Sequence, residues 1–216
     1  MKHSLYKTAK LRGRAKKSAH NHIGGFSLIT TLILLVVVTI LGIGASQMVL
    51  LSERSTRFDR DQQIAFQAAE AALLDAEFDI RGPNTKLGNR MALFTGTDAG
   101  NVSFIDACAS SGASTGLCTG ALVNNKPVWY AVDFTDNSAT ARSAEFGQFT
   151  GRTFSTGASG IRPERLPRYI IETLPDQTPG QQASGGNKKV LYRVTAMGFG
   201  PRIDTQAVVQ MIFRKE

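Results

Sequence analysis

The pattern of apolar and polar positions changes character several times along the 216-residue chain. Residues 1–25 are polar and basic. The stretch Phe26–Leu51, FSLITTLILLVVVTILGIGASQMVLL, then carries no charge at all. Leu28, Ile29, Leu32 to Val38, Ile40, Leu41 and Ile43 make it apolar on every face, the pattern of a helix in a membrane or a large core. At about 1.5 Å per residue it would span about 39 Å, more than the ~30 Å of a hydrocarbon core. A chain with 12 Phe and one Trp has little with which to bury such a helix in a soluble core. Beyond Glu53 the period becomes helical and one-sided: Phe58, Ala65, Ala69, Ala72, Leu73, Ala76 and Ile80 recur at three- and four-residue spacing. No Gly or Pro interrupts Glu53–Arg81, and Gly82-Pro83 stops the pattern. One helix of about 55 residues is predicted, with Gly42 and Gly44 as softening points. Its apolar stripe, rich in Ala, should cover the sheet of its own domain at close range.

Residues 82–127 are rich in Gly, Ser, Thr and Asn, with short apolar pieces at Met91–Phe94 and Val102–Ile105, and read as a long loop. Val128–Phe134 alternates aromatic and β-branched residues and reads as a strand. Ser138–Gly160 reads as loop anchored by Phe146, Phe149 and Phe154. Three further strands are expected at Arg168–Leu174, Lys189–Met197 and Thr205–Arg214, with the polar segment Pro175–Asn187 between the first two. Sequential strands favour an antiparallel meander. One long N-terminal helix on a roughly four-stranded antiparallel sheet is an α+β fold. The expected organisation is a leader, 1–25; a transmembrane helix, 26–52; and an exported domain, 53–216, made of helix 53–81, loop 82–127 and sheet 128–216.

Charge sets the direction of the apolar helix. The leader contains Lys2, Lys7, Lys10, Arg12, Arg14, Lys16 and Lys17 and no acid, so it stays cytoplasmic and the remainder is exported. The apolar run is too long for the core of a secretory signal peptide, and Gly44-Ala45-Ser46 is a weak cleavage signal. The whole chain has 25 Lys+Arg against 17 Asp+Glu, net +8. Removing the seven leader residues leaves 18 against 17, so the argument for nucleic acid as a partner largely disappears. His3, His20 and His22 also lie in the leader, so the exported part lacks the residue needed for Ser-His-Asp, Cys-His or His-metal chemistry. No carboxylate pair or phosphate-binding glycine loop stands out, and no enzyme and no cofactor are expected. Cys108 and Cys118 are the only cysteines. In an oxidising compartment they should form a disulfide rather than remain free thiols.

The junction Gly24-Gly25-Phe26-Ser27-Leu28-Ile29 resembles the class III leader of type IV pilins and pseudopilins. Beyond the apolar run, Glu53-Arg54, Arg57–Asp61, Ala65–Leu73 (AFQAAEAAL) and Asp75-Ala76-Glu77 resemble PilX-type minor pilins. The resemblance covers about residues 24–78 and extends only to the last strands of the globular part. It implies that a prepilin peptidase cuts after Gly25 and methylates Phe26. It implies the pilin fold, inner-membrane anchoring of a single-pass chain, and later incorporation into the pilus, a fimbrium. Implied partners are other minor pilins, the major pilin and a large tip adhesin. Implied roles are assembly priming and tip formation, with adhesion and twitching motility. Two features depart from the major pilins. Thr30 stands where those proteins carry a buried Glu. The two cysteines do not enclose the C-terminal segment and should sit before the sheet.

The alternatives are a type II secretion pseudopilin and a membrane-tethered adhesin or DNA-binding module. Asp133, Asp136 and Asn137 cluster oxygens but lack the spacing and bidentate Glu of a Ca²⁺ loop. Lys188-Lys189 and Arg214-Lys215 read as solvated strand ends rather than DNA contacts.

Overall fold

A computed structural model describes residues 26–84, 86–98, 103–155, 162–179 and 188–215. The leader 1–25, with Gly25 and the three histidines, lies outside the described residues, as do parts of the Val102–Ile105, Ser138–Gly160 and Pro175–Asn187 segments. The chain divides into two compact units, with the boundary between Ser52 and Glu53.

Helix α1 runs over Phe26–Arg81, 56 residues. Its bounds follow from the absence of Gly and Pro after Gly44 and from Gly82, which takes φ +80° and donates its N–H to the Phe78 carbonyl at 2.9 Å. In the second unit α1 packs on a sheet of five strands: β1 (Leu117–Thr119), β2 (Ala144–Glu145), β3 (Arg168–Pro175), β4 (Val190–Phe199) and β5 (Gln206–Phe213). The order is β1-β3-β4-β5, with β2 sharing the β1 edge of β3. The sheet is mostly antiparallel. Arg168 faces Met197 across β3–β4, and Tyr192 faces Phe213 across β4–β5. This is the expected α+β arrangement, and the last three strands fall where alternation places them.

Four features differ from the sequence reading. β1 runs parallel to β3, with Leu117 opposite Ile171, so the sheet is mixed and begins inside the segment read as loop. At three residues, LCT, β1 is too short to show a period and is created by its neighbour. Cys118 therefore lies within the sheet rather than before it. Second, Val128–Phe134 is not a strand: Val128–Ala131 is one helical turn, α2, after Pro127. Val128 and Val132 share a helical face, and both enter a small apolar cluster with Phe134 and Ile170. Burial of that spacing overrides the β-propensity of the aromatic residues between. Third, short 3₁₀ turns at Met91–Leu93 and Gly112–Ser114 interrupt the loop region. Fourth, Phe58 is 61% exposed, because the sheet covers α1 only from about Asp61 onward.

From there the stripe is closed. Ala65, Ala68, Ala69, Ala72 and Ala76 are at most 2% exposed. The closest approach is at Gly198, where an added Cβ would sit 2.1 Å from the Ala65 carbonyl oxygen and 2.3 Å from the Ala69 nitrogen. The core beneath α1 joins Ile80, Leu117, Tyr169, Ile171, Val194 and the aromatic trio Phe94, Phe104 and Tyr192, whose centroids lie 5.4–5.9 Å apart.

Candidate functional site

The first unit presents an apolar helix surface. Leu28, Leu34, Leu41 and Met48 are 66–73% exposed, and the most apolar 18-residue window has mean hydropathy 2.7. Thr30, Thr31 and Thr39 donate their hydroxyls to the carbonyls of Ser27, Leu28 and Val36, and Ser46 to Gly42, at 2.8–2.9 Å. Back-bonding of this kind satisfies hydroxyls where no water is present. The segment is long and apolar enough for a single-pass membrane anchor. Phe26 is the first residue of α1, and Thr30 lies one turn further on.

In the second unit α1 carries two buried carboxylates, Asp75 and Asp79, one turn apart beside the Ala stripe. Arg90, 1% exposed, reaches Asp79 with Nε (3.0 and 2.8 Å to the two oxygens) and Nη2 (2.7 Å). Its Nη1 donates to the carbonyls of Ala113 and Thr115 at 2.9 and 2.6 Å. Its guanidinium stacks 3.6 Å from the Phe149 ring centroid. Asp79 also accepts the Tyr169 hydroxyl at 2.9 Å. Burial, then the Asp79 charge, holds the Tyr169 pKa well above its usual value, so this hydroxyl remains a donor. Asp75 accepts the Gly147 N–H at 2.8 Å and the Thr150 hydroxyl. Burial raises its pKa against those two bonds. Arg90 thus ties α1 to two loop segments, and Asp79 ties α1 to β3 through Tyr169. Sequence reasoning missed this network; the only signal was Asp75 and Asp79 placed on the apolar side of an amphipathic helix.

On the other sheet face Cys108 and Cys118 are bonded, and both are buried in the cluster with Val128, Val132, Phe134 and Ile170. Ile105 bridges Cys118, and the Thr119 N–H donates to the Ile105 carbonyl at 3.0 Å. The disulfide therefore pins a cover over the outer edge of β1. Cys108→Ser is expected to lower stability by about 2–3 kcal/mol for a loop of this length. Thermal unfolding checks this, with wild-type protein showing no titratable thiol when denatured without reductant.

The side chains considered for Ca²⁺ accept hydrogen bonds from their neighbours. Asp133 accepts from the N–H and hydroxyl of Thr135, Asp136 from the Ser138 N–H, and Asn137 from Arg168. Among the described residues no cluster of His, Cys, Asp and Glu could hold a metal ion. Arg168, 7% exposed, also donates to Ser143 and Glu145; burial lowers its pKa and Glu145 opposes this. Nor is Arg214-Lys215 a free basic patch. Lys215 Nζ donates to the carbonyls of Ile80 and Met91, both at 2.9 Å, closing the end of α1, and burial lowers its pKa. Arg214 bridges Asp176 at 3.1 Å.

What the described residues present is an exposed apolar helix surface in the first unit and a helix packed on a sheet in the second. Comparison with protein families matches residues 107–215 to the C-terminal model of the type IV pilus assembly protein PilX. Residues 24–74 match the PilX N-terminal model. No curated protein and no solved structure matches the chain.

Proposed function

Because this chain belongs to the PilX family of type IV pilus assembly proteins, we propose that it is a minor pilin that primes pilus assembly and sits at the tip. The observation that carries this reading is the exposed apolar half of α1, continuous with a second half that forms the core of the folded unit. Such a helix rests in a bilayer and later packs against the apolar helices of other subunits, so the work is done by surfaces. Prepilin peptidase cuts between Gly25 and Phe26, the new Phe26 amine is methylated, and the domain from Glu53 onward stands in the periplasm until the subunit is extracted. Other minor pilins, the major pilin and a large tip adhesin are its partners, through which it contributes to adhesion and twitching.

Thr30 supports the tip position. A Glu there would need an amine from an axial neighbour to neutralise it in the apolar core. A threonine carries no charge and asks for no such counter-ion.

The expected result is that the protein recovered from sheared pili begins at N-methyl-Phe26 by intact-mass spectrometry. Deleting it should sharply reduce pilus number while leaving shaft morphology normal, and immunogold should label tips. Retention of residues 1–25 in protein from its normal host, or label spread along the shaft, would overturn the assignment. Loss of protein secretion with normal piliation would instead identify a type II secretion pseudopilin.

A further inference from the structure

In the folded unit a hollow of about 600 Å³ opens among three segments, 110–115, 137–141 and 145–148. That size lies within the roughly 300–1,000 Å³ usual for ligand sites. Its lining is polar: among the described residues only Ala139 and Ala141 bring wholly apolar side chains. Each wall is held by the protein itself. Arg90 takes the carbonyls of Ala113 and Thr115 in the first. Asp136 accepts the Ser138 N–H at 2.8 Å in the second. Asp75 accepts the Gly147 N–H at 2.8 Å in the third. Arg168, with its side chain 8% exposed, ties the second wall to the third through Asn137 and Glu145, both at 3.1 Å. A second hollow of about 240 Å³ shares Asn137, Glu145 and Arg168 with the first.

The cations of the lining are largely committed to the protein. Arg168 gives one N–H from Nε, two from Nη1 and one from Nη2 to Ser143, Asn137 and Glu145, out of the five that a guanidinium carries. Lys86 Nζ donates to the carbonyls of Gly147 and Gln148. What is left for a ligand is a mixture of donors and an acceptor. Asn137 and Gln148 use their amide oxygens, toward Arg168 and the Glu145 N–H, which leaves both NH₂ groups unengaged. Glu145 accepts from Arg168 through Oε2 and keeps Oε1. The hydroxyls of Ser110 and Ser111 have no partner among the described residues.

We propose that this hollow binds a neutral saccharide. Every sugar hydroxyl both donates and accepts, and so answers amide donors, serine hydroxyls and a carboxylate acceptor set side by side. An anion such as phosphate would meet the Glu145 carboxylate and two cations whose N–H groups are mostly spent. A peptide would bring apolar side chains to a lining that offers them two alanine methyls. A metal ion would find one carboxylate, already facing Arg168. The adjoining hollow on the same three residues gives room for a further ring, so the ligand is a disaccharide or longer. Walls ordered in advance lower the cost of immobilising such a hydrated ligand. The site is independent of the pilus reading, because it rests on the folded unit alone.

The test uses the full chain in a zwitterionic detergent that carries no sugar headgroup. Maltose, lactose, cellobiose and N,N′-diacetylchitobiose are offered separately at millimolar concentration, beside inorganic phosphate and a neutral tetrapeptide. Saturation-transfer NMR should show binding of at least one disaccharide, and the amide signals of residues 110–115 and 137–148 should shift with it. Glu145→Gln, which turns the free acceptor into a donor, should weaken that binding by about tenfold, the usual effect of leaving a hydrogen-bonding group unpaired. Ser111→Leu/Ala139→Leu places apolar bulk at two exposed positions of the lining, and should abolish binding while keeping the wild-type melting temperature. No binding of any of the four disaccharides overturns the proposal, as does binding unchanged in either variant. Binding of phosphate or of the tetrapeptide without a disaccharide also overturns it, and assigns the hollow to an anion or a peptide.

Discussion

Asp79→Ala should destabilise the folded unit by about 3–5 kcal/mol, because it leaves the Arg90 guanidinium buried without its counter-ion. Both side chains are wholly buried, and water cannot replace the lost carboxylate without opening the core. Arg90→Met should cost a comparable amount by stranding Asp79 and the carbonyls of Ala113 and Thr115. The double variant should lose less than the sum of the two, since no buried charge of the pair then remains. Arg90→Lys should not rescue, because an ammonium cannot serve Asp79 and two carbonyls in the planar fork that also stacks on Phe149. Chemical denaturation of the four proteins checks this. Additive losses would show that the pair is not a coupled unit.

Gly198→Ala should cost at least the upper end of the about 1–3 kcal/mol usual for overpacking. The atoms that a Cβ would meet, the Ala65 oxygen, Ala69 nitrogen and Ala68 carbonyl carbon, are all helix backbone and cannot rotate aside. Helix and sheet must separate, opening gaps along the Ala stripe. At about 2–4 °C per kcal/mol for a domain of this size, melting should fall by about 6–12 °C. Truncating the helix side should not help: Gly198→Ala/Ala65→Gly removes no colliding atom and should be no more stable than the single variant. Val208→Ala, on the exposed outer face of β5, should change little by comparison. Rescue by Ala65→Gly in a thermal melt would show that a side-chain clash, not the backbone approach, sets this spacing.

The two predictions differ in how far they could be read from the chain. Ala65, Ala69, Ala72 and Ala76 declared a close helix–sheet approach by their spacing, but not that Gly198 would be the strand residue beneath them. The strand expected to end at Met197 continues as β4 through Phe199, because its pairing with Gln206 extends the ladder. Arg90 sits in a stretch that reads as polar loop, and nothing local indicates that it is among the most deeply buried side chains of the unit. Its partner lies 11 residues away across the end of α1, a distance that no periodicity records.

Local pattern and covalent chemistry determined the long helix and its stop at Gly82, the apolar anchor, the last three strands and the Cys108–Cys118 bond. Each depends on a period, a missing residue type or a pair of thiols, all visible within a few neighbouring positions or by count. The tertiary structure decided β1, the helical turn at Val128, the exposure of Phe58 and the Arg90 network. These depend on which remote segment arrives beside a residue. Burial then supplies more free energy than short-range propensity: a three-residue strand, a buried arginine and an aromatic helical turn are each stable only against the surface that covers them.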